Sequence, residues 1–287
     1  GNPKTRVNKF YKNIKLGGES FNEGIFGNLM FFIPIKNNQL NIYLNNRETK
    51  NQTSPIGTLA NTYSLTSNYK IGFTNYQKKG YINFVIENFN MDYGIPPSEE
   101  GHILGVDIAL LKNTLQVNAH YDISYGKFKQ LDIRYNFIDY EHQEFENDVD
   151  YYSVSLAKNT HHFKVELLSE MISLGAELEY KDFIPAGFYW TPNTDETNIS
   201  FYGYMKKKYK NYDLLGSFRI GHIIIDPKPN YTSYANLEVD EIIKREFSYI
   251  SSSIGFEKKS NKWTYKGWLI QTMRPPKIEE LYSDGPH

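Results

Sequence analysis

Across 287 residues, 32 basic side chains stand against 33 acidic ones, and cysteine is absent. That balance argues against a general nucleic-acid surface, and the missing thiols exclude a disulfide framework and thiolate metal centres. Tyrosine (24) and phenylalanine (18) supply most of a 16% aromatic content. The mean hydropathy of -0.57 fits either a soluble protein or a membrane β-barrel, whose polar interior masks its lipid-facing residues.

Taken in chain order, the predicted elements are strands. "NPKTRVNKFYKNIKLGGESFNEG" places a first strand near Phe10 to Leu16, and the aromatic cluster "FGNLMFF" falls within the second. The short polar "KNNQ" turns the chain into a third strand, which ends at the long, irregular "NRETKNQTSPIGTLANT". "YSLTSNYKIGF" then sets Tyr63, Leu65, Tyr69, Ile71 and Phe73 on one side. "YQKKG" is a short turn, "YINFVIENF" a strand, and "NMDYGIPPSEEGH" a second long loop. After the short "SYGK", "LDIRYNF" alternates Leu131, Ile133, Tyr135 and Phe137 with Asp132, Arg134 and Asn136. "YEHQEFENDVD" reads as a loop and "YYSVSL" as a strand. "LGAELEY" alternates Leu174, Ala176, Leu178 and Tyr180 with Glu177 and Glu179. "FIPAGFYWTPNTDETN" reads as a long loop. The strands "NISFYGYM" and "LLGSFRIG" flank the short "KYKNYD". Long "DPKPNYTSYANLEVDE" and short "KKSNK" lead to "KWTYKGWLIQTM". The final "RPPKIEELYSDGPH" reads as a loop with no apolar face.

Alternation with period two over such lengths predicts strands with one apolar face, about thirteen of them, and no helix beyond a turn or two. Many are long enough to cross a bilayer as tilted strands of ~9–11 residues. Short and long connections alternate along the chain, as they do when an up-and-down barrel gathers its turns at one mouth and its loops at the other. The alternative is a soluble all-β fold, a β-sandwich binding module or a propeller, whose Greek-key or blade connections would sort less cleanly. The fold class expected is therefore all-β: an antiparallel, up-and-down transmembrane β-barrel, partial, an open half-barrel. Phe73, Ile133, Tyr135 and Leu178 should face lipid. Lys70, Arg134 and Glu177 should face the lumen, where Arg134, Glu177, Glu179 and Arg219 would form ion-pair ladders. The abundant aromatics suit girdles at the membrane interfaces.

Three stretches then carry a resemblance. "DYGIPPSEEGH" (Asp92 to His102) resembles the "NYGIPG…EGH" loop of TonB-dependent outer-membrane receptors. "DYEHQEFEND" (Asp139 to Asp148) resembles their "DYEHTEFE" loop, and "RPPKIEELYSDGPH" (Arg274 to His287) their "RAPTFEELYSNGPH" segment. The order and spacing also fit, over nearly the whole chain, and the nearest branch contains zinc-uptake and related metal receptors. The resemblance implies energy-coupled import of a metal ion or a metal chelate of the siderophore type across the outer membrane of a Gram-negative bacterium, and no enzyme activity. It implies outer-membrane lipid, the TonB energy-transducing complex and the cargo as partners, with no nucleic acid. It also implies that residues 1–287 are the N-terminal part of a 22-stranded barrel, without the plug domain and the C-terminal strands.

No cofactor is expected, only a transported metal, zinc or an iron chelate. Carboxylates and imidazoles are its natural ligands. Glu99, Glu100 and His102 in one expected loop, and Glu141, His142 and Glu144 in the next, are the candidates; the reading favoured for any one of them taken singly is solvated loop charge, with His142 a polar-face residue at a strand's outer end. His161 and His162, adjacent in a strand, point to opposite faces and cannot readily chelate one ion. His120 and His222 lie on strands. The lysines of "MKKKYK" are expected at the short-turn mouth, facing the periplasm and lipid headgroups. Neither a Gly-rich phosphate loop nor HExxH occurs, and no nucleophile–base spacing stands out.

Overall fold

The structure is a computed structural model that describes residues 6–98, 102–146, 151–188, 191–228, 241–260 and 262–283. β-Branched and aromatic side chains at every second position pack well on a pleated surface, and thirteen strands follow. They are β1 (Tyr11–Glu19), β2 (Gly24–Ile35), β3 (Asn38–Thr49), β6 (Ser64–Gln77), β7 (Gly80–Ile95), β8 (Val106–Tyr125) and β9 (Phe128–Phe145), then β10 (Val154–Leu168), β11 (Ile172–Gly187), β12 (Asn193–Lys208), β13 (Asp213–Lys228), β14 (Arg245–Lys259) and β15 (Thr264–Gln271). A two-residue pair, β4 (Thr53–Ser54) and β5 (Gly57–Thr58), forms a small separate hairpin. All thirteen long strands join one antiparallel sheet in chain order. Each pairs with the next, and β1 and β15 are the edges, so the sheet is open among the described residues.

Because consecutive strands reverse direction, connections alternate between two ends of the sheet. At one end they are residues 36–37, 78–79, 126–127, 169–171, 209–212 and 260–263. At the other they are residues 20–23, 50–63, 96–105, 146–153, 188–192 and 229–244. The sorting expected from the sequence is found. One loop is much shorter than expected: "FIPAGFYWTPNTDETN" is mostly strand, split between β11 and β12. Likewise "YEHQEF" is the end of β9, not a loop.

The physical reason is length. A crossing of the apolar band needs ~9–11 residues, whereas β8 has 20 and β9 has 18. The surplus of β9 runs on beyond its apolar stretch at the long-loop end through Glu141, His142, Gln143 and Glu144, polar on both faces. Such a segment loses the alternation that reveals a strand, yet its backbone pairing is unbroken, with Asp107↔Phe145 and Leu110↔His142 in register.

The faces separate as expected. Tyr135, Phe163, Leu178 and Ile199 lie side by side across β9–β12 on one face. That face is apolar and open: Ile71 is 54% exposed, Ile86 65% and Leu178 43%. The opposite face is polar and cross-linked. Lys70 pairs with Glu87 at 2.8 Å, and Arg219 with Glu177 at 2.9 Å. Lys164 bridges Glu166 (3.2 Å) and Glu177 (3.5 Å), and Lys181 bridges Glu179 (2.6 Å) and Glu196 (2.7 Å). Arg134 donates to Asn118 from β9 to β8. On this face His120 is held by Asp132 and stacks on Tyr81. His161, on the apolar face, packs among Tyr135, Phe137 and Tyr180, while His162 points the other way.

Among the described residues a buried apolar cluster lies where none was expected. The short helix α1 (Ile278–Tyr282) inserts Ile278 and Tyr282 against Phe183, Ile223 and Ile225, with Leu281 alongside. Ile278 and Tyr282 are one helical turn apart, so they share a face. Tyr282 Oη donates to the Ile243 carbonyl at 2.8 Å. The expectation of no apolar face in "RPPKIEELYSDGPH" fails because a period of four over five residues is too short to read against neighbouring charges. Asp284 to His287 lie outside the described residues.

Candidate substrate-entry site at the long-loop mouth

The long-loop end is organised by loops that tie to one another. Asn61 adopts φ +52°, a left-handed conformation that asparagine tolerates better than most residues. From there its Nδ2 donates to the Ile95 and Val106 carbonyls, both at 3.0 Å, clamping the ends of β7 and β8. Gly105, with φ +83°, closes this clamp: a Cβ there would stand 2.6 Å from the Ile95 carbonyl oxygen and 2.9 Å from Asn61 Nδ2. Tyr63 Oη donates to Asp107 Oδ1 at 3.1 Å. Burial foremost, and then the Asp107 carboxylate, push the Tyr63 phenol up to about 12.

The candidate ligands sort as follows. Glu99 and Glu100 lie outside the described residues. His102 follows them, and its Nδ1 stands 3.1 Å from Glu146 Oε1, a contact joining the β7–β8 loop to the β9–β10 loop. His142 Nε2 stands 3.0 Å from Glu144 Oε1. Glu141 accepts from Gln143 Nε2 at 2.8 Å. Within β9 successive side chains alternate faces, so His142 and Glu144 share the polar face while Glu141 and Gln143 occupy the other. Glu141 and His142, expected together in one loop, instead lie on a strand that turns them to opposite faces, so that His142 is a polar-face residue at the strand's outer end. Among the described residues no group of three histidines or carboxylates is placed to hold a metal ion. Sequence reasoning missed Glu146 and Asn61. Their roles depend on contacts between residues far apart in the chain, for which local pattern carries no signal.

Charge is unevenly shared between the mouths. Glu48, Asp92, Asp107, Glu144, Glu146, Glu196, Asp226 and Glu246 lie at or near the long-loop end, against fewer bases such as Arg47, Lys181 and Lys228. The short turns carry Lys36, Lys78, Lys79, Lys127, Lys210 and Lys262. A mouth of one sign raises the local concentration of opposite charge, so the long-loop end favours cations.

An open meander, apolar and exposed on one face, ion-paired on the other, with long loops at a single end, is a section of β-barrel wall. Solved structures carry that fold. The chain is similar to the copper transporter OprC at 11% identity and TM-score 0.74, covering 95% of this chain and 47% of that one. It is similar to the FrpB iron transporter from Neisseria meningitidis at 11% identity and TM-score 0.73, with the same shares. For the alcaligin outer-membrane receptor FauA from Bordetella pertussis the identity is 10% and the TM-score 0.62, over 92% of this chain and 43% of that one. The chain thus has the fold of a partial outer-membrane receptor barrel and spans about half the length of the structures it matches. No protein-family model matches the chain, and no curated protein sequence does.

Proposed function

We propose that residues 1–287 form the N-terminal part of the barrel of a TonB-dependent outer-membrane receptor that imports a metal ion or metal chelate into a Gram-negative bacterium. The plug domain and the C-terminal strands would lie outside this sequence. The observation that carries the reading is the inverted amphipathicity of the sheet. Its apolar face is exposed along thirteen strands, while its polar face is bound up in ion pairs. A soluble sandwich would cover that apolar face with a second sheet, and the thirteen strands form only one. The open edges of β1 and β15 support the partial-barrel reading. An unpaired backbone group in hydrocarbon costs several kcal/mol, so a wall in lipid has to be closed by further strands.

The cargo is proposed as cationic or metal-bearing, from the acidic long-loop mouth. Glu99, Glu100 and His102, with His142 and Glu144 on the polar face, are the proposed first contacts. Glu141 is the weaker member of the set, since it faces away. The TonB complex would act through the plug, and the chain's own residues supply binding and a wall, not bond-making chemistry.

Two measurements test this. The chain should need detergent or lipid to stay dispersed, and a monodisperse detergent-free monomer would sink the membrane reading. Equilibrium dialysis against zinc should show weakening of about tenfold or more for His102→Ala with His142→Ala, in line with losing ligand groups. Unchanged binding would remove these residues from the entry site.

A further inference from the structure

Just inside the acidic long-loop mouth, two lysines stand on the polar face without acids. One transverse row, in register across four strands, reads Phe89 on β7, Lys112 on β8, Tyr140 on β9 and Lys158 on β10. Tyr140 precedes His142 by two residues, so the row shares the polar face and lies one step further in. Phe183 on β11, part of the seat of α1, is the next member of the row. Lys112 and Tyr140 are half-buried, and Lys158 is exposed.

Neither lysine has a carboxylate within ion-pair distance among the described residues. Lys112 Nζ lies over the Phe89 ring at 5.5 Å, and Lys158 Nζ over the Tyr140 ring at 5.8 Å. A ring face attracts an ammonium but does not neutralise it. The acids around the row are already engaged. Glu87, one step further in, is held by Lys70 at 2.8 Å and accepts from Asn68 at 3.0 Å. Glu179 and Glu196 share Lys181. Towards the rim, Glu144 faces His142.

We propose that this row is a binding shelf for the anionic, oxygen-bearing part of a metal chelate, and that the cargo enters as such a chelate and not as a bare ion. The inference rests on the import reading and specifies its cargo. By strand spacing the two lysines rise about 10 Å apart, on either side of Tyr140. An aromatic ring carrying carboxylate or phenolate oxygens can lie on Tyr140 and give an oxygen to each ammonium. A bare divalent ion gains nothing there, because two unpaired ammoniums repel it. His142 and Glu144, at the rim, meet the cargo first, and the lysines then take its anionic side.

The test is equilibrium dialysis of the full chain in detergent against two ferric complexes, a strongly anionic tris-catecholate and a neutral tris-hydroxamate. The anionic complex should bind the tighter. Lys112→Gln with Lys158→Gln should weaken it by roughly tenfold or more, as charged contacts are lost, and leave the neutral complex unchanged. Lys112→Arg with Lys158→Arg should keep the binding, because the charge is kept. Lys129→Gln, on the other face of β9, should change nothing. Equal loss for both complexes, loss in the Arg pair as well, or a neutral complex bound as tightly as the anionic one would overturn the proposal. So would the absence of saturable binding of the anionic complex. The lysine pair should leave zinc dialysis unaltered, so a failure of the entry contacts, read with zinc and the histidine variants, is told apart from a failure of the shelf.

Discussion

At the scale of single residues, neighbours in one strand have opposite fates. Leu178 is exposed on the apolar face, while Glu177, next to it, holds Arg219 and Lys164 on the polar face. Leu178→Arg should therefore cost about 2–4 kcal/mol if the site lies near the bilayer midplane, read by denaturant titration of folding into vesicles. A cost near zero would contradict the lipid-facing assignment. Glu280 provides a pH test outside the sheet. Arg274 donates to both of its oxygens, at 2.9 and 2.7 Å, and the Lys277 backbone N–H adds a third bond at 2.8 Å. The Arg274 hydrogen bonds foremost, then the Lys277 amide, bring its carboxyl from the ordinary 4.5 down to about 2. A folded-state value below the unfolded one means that the contribution is complete above about pH 4.5 and is lost as pH falls toward 2. Amide exchange at residues 278–282 should accelerate across that window, and a flat profile would show that the clamp does not hold the segment.

At the scale of elements, α1 has only five residues. Isolated helices that short are not stable in water, so docking must hold it. Tyr282 is 1% exposed. Removing such a ring costs on the order of 3–5 kcal/mol, and Tyr282→Ala should release the segment to protease while the strands stay protected. Tyr282→Phe loses only the bond to the Ile243 carbonyl, roughly 1 kcal/mol, and should remain docked. If both variants are cut alike, the apolar contacts are not what fixes α1. The connections permit a second test. With no native cysteine, Lys79→Cys and Thr58→Cys should react with a membrane-impermeant thiol reagent from opposite sides of an oriented vesicle. Labelling of both from the same side would defeat the barrel topology. Strand number and the order of turns were legible in the sequence, because alternation and turn residues are local. Strand ends at the long-loop mouth were not: Glu141, His142 and Thr194 lie in paired backbone whose two faces are both polar, so nothing local separates strand from loop there.

At the scale of the whole molecule, the decisive fact is one sheet with two free edges among the described residues. In hydrocarbon the unpaired backbone of β1 and β15 is costly. The 287-residue chain, reconstituted in liposomes, is expected to give no metal uptake, because a wall with two open edges encloses no lumen. A heat-modifiable species that imports metal would refute the partial-barrel reading. The sequence by itself determined the all-β class, the two faces, and the sorting of turns from loops, since a period of two is written in adjacent residues such as Leu131 to Phe137. Only the tertiary structure decided what depends on residues distant along the chain. Asn61 clamps β7 to β8, and His102 meets Glu146 across two loops. Tyr282 finds Phe183 and Ile225, and Glu257 takes both Lys259 and Lys266. Those contacts follow from register and curvature, which no local pattern of side chains encodes.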